Sequence, residues 1–442
     1  MPNSQFLLAA PASASGKTTL TLGLLRAFAR RGRRVRPFKC GPDYIDPQFH
    51  ARAAGTESIN LDPFMASPAH LRELFVRYGS GYDLCIAEGA MGLFDGYDRD
   101  RGSAAEVART LRLPVVLVVD ARATAFSAAA LLHGFARFDA RVEVVGVIFN
   151  RVASASHYAH LRIAAEAAGI ESFGYLPHDE RFRAPSHHLG LSLKGLDEFQ
   201  PVIDIVADAV ERYIDLDRLA AATQRAVPSE NAAATAFQSE VPEHRPLACR
   251  GLRIAVARDE AFNFVYRANL DRLAEVGTLS YFSPLHDAAL PEADFIYLPG
   301  GYPEFFLEPL QANASMRRSV ADYVERGGQL LAECGGMMYL CRTIRDEAGA
   351  PYEMCGVLPL TATMEGMRLH LGLREVRFEG GVRMRGHEFH YSRIEGEYPS
   401  SAQQYSARGE AVATPFYRYK NAWAGYTHLY WAEADPLKLF EK

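Results

Sequence analysis

Two short segments hold residues whose types and spacing imply reaction chemistry. In Leu330-Leu331-Ala332-Glu333-Cys334-Gly335-Gly336, a cysteine stands between an apolar strand-like run and a helix-like run, with two glycines directly after it. A strand–turn–helix elbow projects such a side chain, and the glycines allow close backbone approach. The helix N-terminus is expected to lower the thiol pKa and to offer N–H groups to an oxyanion. This is the setting of a thiol nucleophile. The second segment is Ser13-Ala14-Ser15-Gly16-Lys17-Thr18-Thr19, between another strand-like run and a helix-like run. Loop N–H groups at a helix N-terminus hold phosphate oxygens, a lysine reaches the terminal phosphates, and the following hydroxyl ligates Mg²⁺. Ser13, Ser15, Gly16, Lys17, Thr18 and Thr19 are therefore the expected ATP-binding set. Pro11 occupies the place of the first glycine in the strict phosphate-loop pattern. The strand–loop–helix setting, more than the pattern, carries the reading.

Each chemistry needs further groups. Magnesium requires more oxygen ligands, and two carboxylates follow strand-like runs in the same half: Asp46 in GPDYIDPQFH and Glu88 in AEGAMGLFDG. Loops after the C-terminal ends of parallel strands are where ligands bind in such sheets. Asp43 and Asp95 are further carboxylates in these loops, with a turn or helix-capping role as the plain alternative. The thiol needs a base that also protonates a leaving amine. His428 in AGYTHLY is preferred over His387 and His390 in GHEFHYS. The latter two, at i and i+3 on a β-like segment, would not converge on one metal. A second glycine turn, Leu298-Pro299-Gly300-Gly301-Tyr302-Pro303, can supply another oxyanion N–H. Of the other cysteines, Cys40 and Cys85 lie in or beside apolar strands and Cys341 follows within the same helix as the elbow; all three read as packing residues.

The elements that must position these groups fall into two α/β halves. QFLLAA, VRPFKC, IAEGA, PVVLVVD and VEVVGVIFN are continuous β-rich runs, and Leu20, Leu24, Leu25 and Phe28 recur at helical spacing from Lys17 to about Arg31. Apolar strands alternating with helices indicate a parallel sheet covered on both faces. This first domain is placed at 1–215. A stretch rich in Ala, Ser, Thr and Pro, 216–249, reads as a linker, with an Ala-rich helix as the alternative for its first half. The second domain, 250–442, opens with the strand LRIAVARD, a helix over AFNFVYRANLDRLAEVG, and the strand ADFIYLPGG. The helix MRRSVADYVERGG and the elbow follow, and the remainder is β-like.

Length and composition agree with a globular chain of two or three domains: 442 residues, 48% hydrophobic and 23% charged. A net charge of −5 argues against a generic nucleic-acid binder. Six cysteines without a CxxC pair match neither a zinc site nor a disulfide framework, so reduced thiols in a cytoplasmic protein are expected. Neither a signal peptide nor a membrane span is expected.

Taken together, PFKCGPDYIDPQFH with NLDPFM, AEGAMGLFDG, LPGGYPE, AECGGMMYL, GHEFHYS and AGYTHLY resemble the cobyrinate and hydrogenobyrinate a,c-diamide synthases over nearly the whole chain apart from the linker. The resemblance implies a dethiobiotin-synthetase-like P-loop domain joined to a class I glutamine amidotransferase domain. It implies that Cys334 forms a glutamyl thioester, that His428 is its base, and that the backbones of Gly301 and Gly335 hold the oxyanion. Lys17 and Thr18 would contact ATP and Mg²⁺, and Asp46 and Glu88 would complete the metal site. Asp43, Tyr44 and Asp95 would face a corrinoid. Related class I domains carry a glutamate two residues after the histidine; here Tyr430 stands there, as in the cobyrinate-type branch, and what orients His428 is left open. The implied partners are glutamine and a corrinoid tetrapyrrole polycarboxylate, with a homodimer as one assembly to expect, and with neither nucleic acid nor membrane. Another tetrapyrrole, such as nickel-sirohydrochlorin, is the alternative acceptor. A P-loop ATPase with a regulatory cysteine domain is the alternative from another class.

Overall fold

A computed structural model describes residues 3–182, 196–225 and 247–441. It divides into two compact units, Met1–His244 and Arg245–Lys442. Among the described residues, no helix is long and apolar enough to cross a membrane.

The first unit is built on an eight-stranded sheet. Its strands are β1 (Asn3–Ala9), β2 (Val35–Cys40), β3 (Ile59–Leu61), β4 (Leu84–Glu88), β5 (Val115–Asp120), β6 (Val144–Val152), β7 (Glu171–Pro177) and β8 (Gln224–Arg225). The order is β3-β2-β4-β1-β5-β6-β7, all parallel, with the short β8 antiparallel to the start of β1. The order has a direct consequence: β2, β4 and β1 are neighbours, so the loops after their C-terminal ends share one edge. The helix α1 (Lys17–Arg30) follows β1, and Leu20, Leu24, Leu25 and Phe28 bury its inner face against Phe6, Leu8 and Ile86. The helix α2 (Asp46–Ala54) follows β2, with Asp43 accepting from the Ile45 and Asp46 N–H groups at its start.

The reading of 216–249 as linker needs correction at its start. Leu216–Ala222 is a helix capped by Asp215, its Leu216 and Leu219 lie in the core, and Gln224–Arg225 is β8. Leucines at helical spacing dock the Ala-rich segment on the sheet, so the first unit runs past residue 215. Residues 226–246 of that stretch lie outside the described residues.

The second unit centres on a six-stranded sheet of order β10-β9-β11-β12-β22-β21. These are β9 (Leu252–Ala257), β10 (Gly277–Phe282), β11 (Phe295–Leu298), β12 (Gln329–Glu333), β21 (Phe416–Tyr419) and β22 (Ala422–Gly425). A four-stranded sheet holds β13 (Cys341–Arg345), β14 (Pro351–Glu353), β15 (Leu358–Thr363) and β18 (Arg393–Glu395), and a five-stranded antiparallel sheet holds β16 (His370–Phe378), β17 (Arg383–His390), β19 (Ala402–Ser406), β20 (Ala411–Val412) and, at its edge, β23 (Thr427–Tyr430). The expected helix over 261–277 begins only at Arg267. Asp259 accepts from the Ala261 and Phe262 N–H groups, and Phe264 bridges to Gly300. The residues before Arg267 are thus spent on bracing the glycine turn after β11.

Candidate functional site

The phosphate loop leaves β1 and turns into α1. Ala14 and Gly16 take left-handed φ of 59° and 89°. Gly16 is required there twice over, because a Cβ would also stand 2.0 Å from Asn150 Nδ2, which donates to the Ser15 carbonyl over 2.9 Å. Lys17 is buried, and its Nζ donates to the Met91 carbonyl over 2.5 Å. Burial lowers its pKa, opposed by the charge of Glu88. Ser13 and Thr19 lie in the same loop and first turn, Ser13 exposed.

Glu88, 1% exposed, is the hub of the sheet edge. It accepts from Thr18 Oγ1 at 2.7 Å, from Lys39 Nζ at 2.9 Å and meets His50 Nε2 at 2.8 Å. Asp46 reaches Thr18 at 3.4 Å and pairs with the same Lys39 ammonium. Asp43 lies 3.7 Å from that ammonium. Burial works against the charge on Glu88, yet Lys39 and His50 hold its pKa below the ordinary range. Asp46 is pushed up to about 6 by burial and by Asp43. Burial alone would lower Lys39; Glu88 and Asp46 overcome it and raise it well above its ordinary value. The structure therefore brings Thr18, Asp46 and Glu88 together, as the sequence suggested, and adds Lys39 and His50. The signal for Lys39 was a lysine between the apolar Phe38 and Cys40 near the end of β2; for His50, a histidine on the inner face of α2.

Two carboxylates and a hydroxyl beside a phosphate loop are the hard oxygen donors a divalent cation takes, while the Lys39 ammonium pairs with both carboxylates. Among the described residues, no three His, Cys, Asp or Glu side chains group as a metal cage. A magnesium ion here would need phosphate oxygens and water to complete its shell. Tyr44 is buried in the loop after β2. Asp95 is exposed and accepts from the Gly92 N–H over 3.1 Å.

In the second unit, Cys334 directly follows β12, at φ 47°, ψ −106°, and caps the helix Gly335–Leu340. Its N–H donates to the Gly425 carbonyl over 2.7 Å, which ties the elbow to β22. A non-glycine residue in this region is strained and is held only by such surroundings. The turn after β11 packs beside it: a Cβ on Gly335 would lie 3.2 Å from the Gly301 nitrogen and 3.1 Å from its carbonyl oxygen. Gly301 and Gly335 are thus adjacent, as an oxyanion cradle needs. His428, on β23, is 1% exposed and sits over Gly300, where a Cβ would stand 2.1 Å from His428 Cε1. The glycine turn consequently touches both the elbow and the imidazole. His387 lies opposite His428 across the β17–β23 pair, and Cys334 Sγ is 3.6 Å from the Phe389 carbonyl.

The expected lowering of the thiol pKa is not found. Burial, followed by the nearby Glu304, raises it well above its ordinary value; the Gly335 N–H opposes this but does not prevail. The helix has six residues, too short for a strong terminal field, and the thiol is buried. His428 is pushed down to about 3, by burial first and then by His387. The resting pair is therefore neutral thiol and neutral imidazole. Cys341 is not in the elbow helix but opens the next strand, Cys341–Arg345; it is fully buried, with its thiol raised to about 12 by burial. Cys40 and Cys85 are buried strand residues. His390 pairs with Glu388 at 2.9 Å and stacks on Tyr426 at 3.5 Å, beside a cavity of about 840 Å³. Glu304 closes the LPGGYPE motif but was given no role from the sequence; its Oε2 is buried without a hydrogen-bond partner and its pKa is raised to about 7 by burial.

Gly300→Ala is expected to lower glutamine-driven turnover about 100-fold by pushing the imidazole aside. Gly300 does not use a positive φ, so backbone strain would not confuse the result. Parallel assays with glutamine and with ammonium salt check this; only the first should fall.

Residues 253–436 match the CobB/CobQ-like glutamine amidotransferase domain, and residues 6–191 match the CobQ/CobB/MinD/ParA nucleotide binding domain. The chain is 40% identical to the cobyrinate a,c-diamide synthase of Picrophilus torridus, over 97% of this chain and 96% of that one. It is 39% identical to that of a Listeria monocytogenes strain, again over 97% and 96%. It is 44% identical to the hydrogenobyrinate a,c-diamide synthase of Brucella suis, over 88% of this chain and 89% of that one. With a phosphate loop in one unit and a cysteine elbow in the other, the chain belongs to the cobyrinate/hydrogenobyrinate a,c-diamide synthase family of glutamine-hydrolysing amidating ligases.

Proposed function

We propose that the protein converts the a and c acetate carboxylates of cobyrinate or hydrogenobyrinate to amides, using ATP and the amide nitrogen of glutamine, in cobalamin biosynthesis. The observation that carries this reading is the similarity along the chain to synthases with those names, together with a separate set of reactive groups in each unit. In the second unit, the Cys334 thiol attacks the side-chain amide carbon of glutamine and passes its proton to His428. The N–H groups at Gly301 and Gly335 stabilise the oxyanion. The C–N bond breaks, His428 returns the proton to the departing ammonia, and water hydrolyses the thioester to glutamate. The neutral thiol–imidazole pair implies that proton transfer accompanies attack.

In the first unit, a corrinoid carboxylate oxygen attacks the γ-phosphorus of ATP, ADP departs, and an acyl phosphate forms. Ammonia then displaces phosphate from the acyl carbon. Lys17 and the loop N–H groups bind the transferring phosphoryl group. Thr18, Asp46 and Glu88 would hold Mg²⁺, which neutralises phosphate charge when bound. Asp43, Tyr44 and Asp95 border the same sheet edge and suit the acceptor side.

The test is to offer cobyrinate, hydrogenobyrinate and nickel-sirohydrochlorin separately with ATP, Mg²⁺ and amide-labelled glutamine. Mass spectrometry should find two labelled amides on one of the first two rings. Amidation of nickel-sirohydrochlorin alone would overturn the assignment.

A further inference from the structure

The base strand β23 lies at the edge of its sheet, so one row of its backbone groups has no neighbouring strand among the described residues. Leu429 and His428 are nevertheless buried, and buried backbone groups must find partners. Two side chains take the place of the missing strand. Asn269 donates to the Leu429 carbonyl over 2.8 Å and accepts from the Trp431 N–H over 2.9 Å. Glu333 Oε1 accepts from the Leu429 N–H over 2.9 Å, and its Oε2 is hydrogen-bonded to the Tyr297 hydroxyl at 2.6 Å.

Glu333 is the residue immediately before Cys334, and Leu429 is the residue immediately after His428. One carboxyl group, 1% exposed, thereby joins the strand that ends in the nucleophile to the strand that carries the base, although β12 and β23 belong to different sheets. Tyr297, on β11, anchors the other oxygen in the strand that leads into the glycine turn. All three parts of the thiol site therefore meet on this side chain. A carboxyl group this deeply buried is costly, and a hydrophobic residue of similar volume would fill the space without the desolvation penalty.

We propose that Glu333 is the positioning residue of the amidotransferase site: through the Leu429 N–H it fixes His428 relative to Cys334, the task that Tyr430 has no carboxylate to perform. It does so through the backbone, by way of the Leu429 N–H. Burial pushes its carboxyl up to about 8, so near neutral pH it is mostly the uncharged acid. A glutamine amide is uncharged too and keeps the bond to the base strand, since its oxygen can accept from the Leu429 N–H.

The inference rests on the glutamine-hydrolysing reading of this site, which loss of glutamate release in Cys334→Ser checks separately. The experiment compares Glu333→Leu, Glu333→Asp and Glu333→Gln in the full chain, measuring glutamate release and ammonia-driven amidation. Glu333→Leu should lower kcat for glutamine about 100-fold with KM unchanged, since a small displacement of the base is enough. Glu333→Asp, which keeps the carboxyl but is too short to span both partners, should also lower kcat with KM unchanged, and serves if the leucine variant does not fold. Glu333→Gln should restore kcat to near wild type. Ammonia-driven amidation should stay at the wild-type level in all three. Wild-type kcat in Glu333→Asp, loss in Glu333→Gln equal to that in Glu333→Leu, or a parallel fall in ammonia-driven amidation would each overturn the proposal.

Discussion

Cys334→Ser is expected to lower glutamine-driven turnover by about three orders of magnitude or more, while turnover with free ammonia stays at the wild-type level. The substitution is nearly isosteric, so the elbow at φ 47° and its bond to the Gly425 carbonyl are retained. What changes is the nucleophile. Burial already holds the Cys334 thiol protonated, and the same dry surroundings would oppose ionisation of a hydroxyl more strongly. His428, pushed down to about 3, is ready to accept a proton but is too weak a base to ionise serine in advance. Glutamate release and acceptor amidation, measured side by side, check this. Undiminished glutamate release would remove Cys334 from the reaction.

Lys17→Ala is expected to lower amidation about 100-fold or more with either nitrogen source, while the basal release of glutamate persists. Lys17 donates one hydrogen bond, to the Met91 carbonyl, a partner an added phosphate can readily replace. Its loss therefore removes positive charge from the head of α1 without breaking the ion-pair network of Lys39, Asp46 and Glu88. The two substitutions divide the activity in opposite ways. Cys334→Ser spares the ammonia-driven reaction that Lys17→Ala destroys, and Lys17→Ala spares the glutamate release that Cys334→Ser destroys. Equal loss of glutamate release in the Lys17 variant would show that its effect is not confined to phosphate chemistry.

Much of the site is legible in the sequence because its parts are contiguous. A loop that binds phosphate must lie between one strand and the next helix, and a cysteine elbow between another such pair, so each is written in a few adjacent residues. The parallel sheet is legible for a related reason: apolar strands alternating with helices leave a local pattern. The docked segment after residue 215 is harder to see. Its alanines suit linker and helix alike, and only the burial of Leu216 and Leu219 against the first unit decides between them.

The sequence by itself determined the two reactive segments, the α/β class of both halves and the family. The tertiary structure alone decided which side chains meet. Lys39 reaches Glu88 because β2 and β4 are neighbours in a sheet order that skips along the chain. Glu333 reaches Leu429 across 96 residues and between two sheets. The ionisation of Cys334 and His428 follows the same rule. A helix N-terminus in the sequence suggested a lowered thiol, but the folded chain removes water from around both groups, and desolvation of a charge outweighs the field of one short helix.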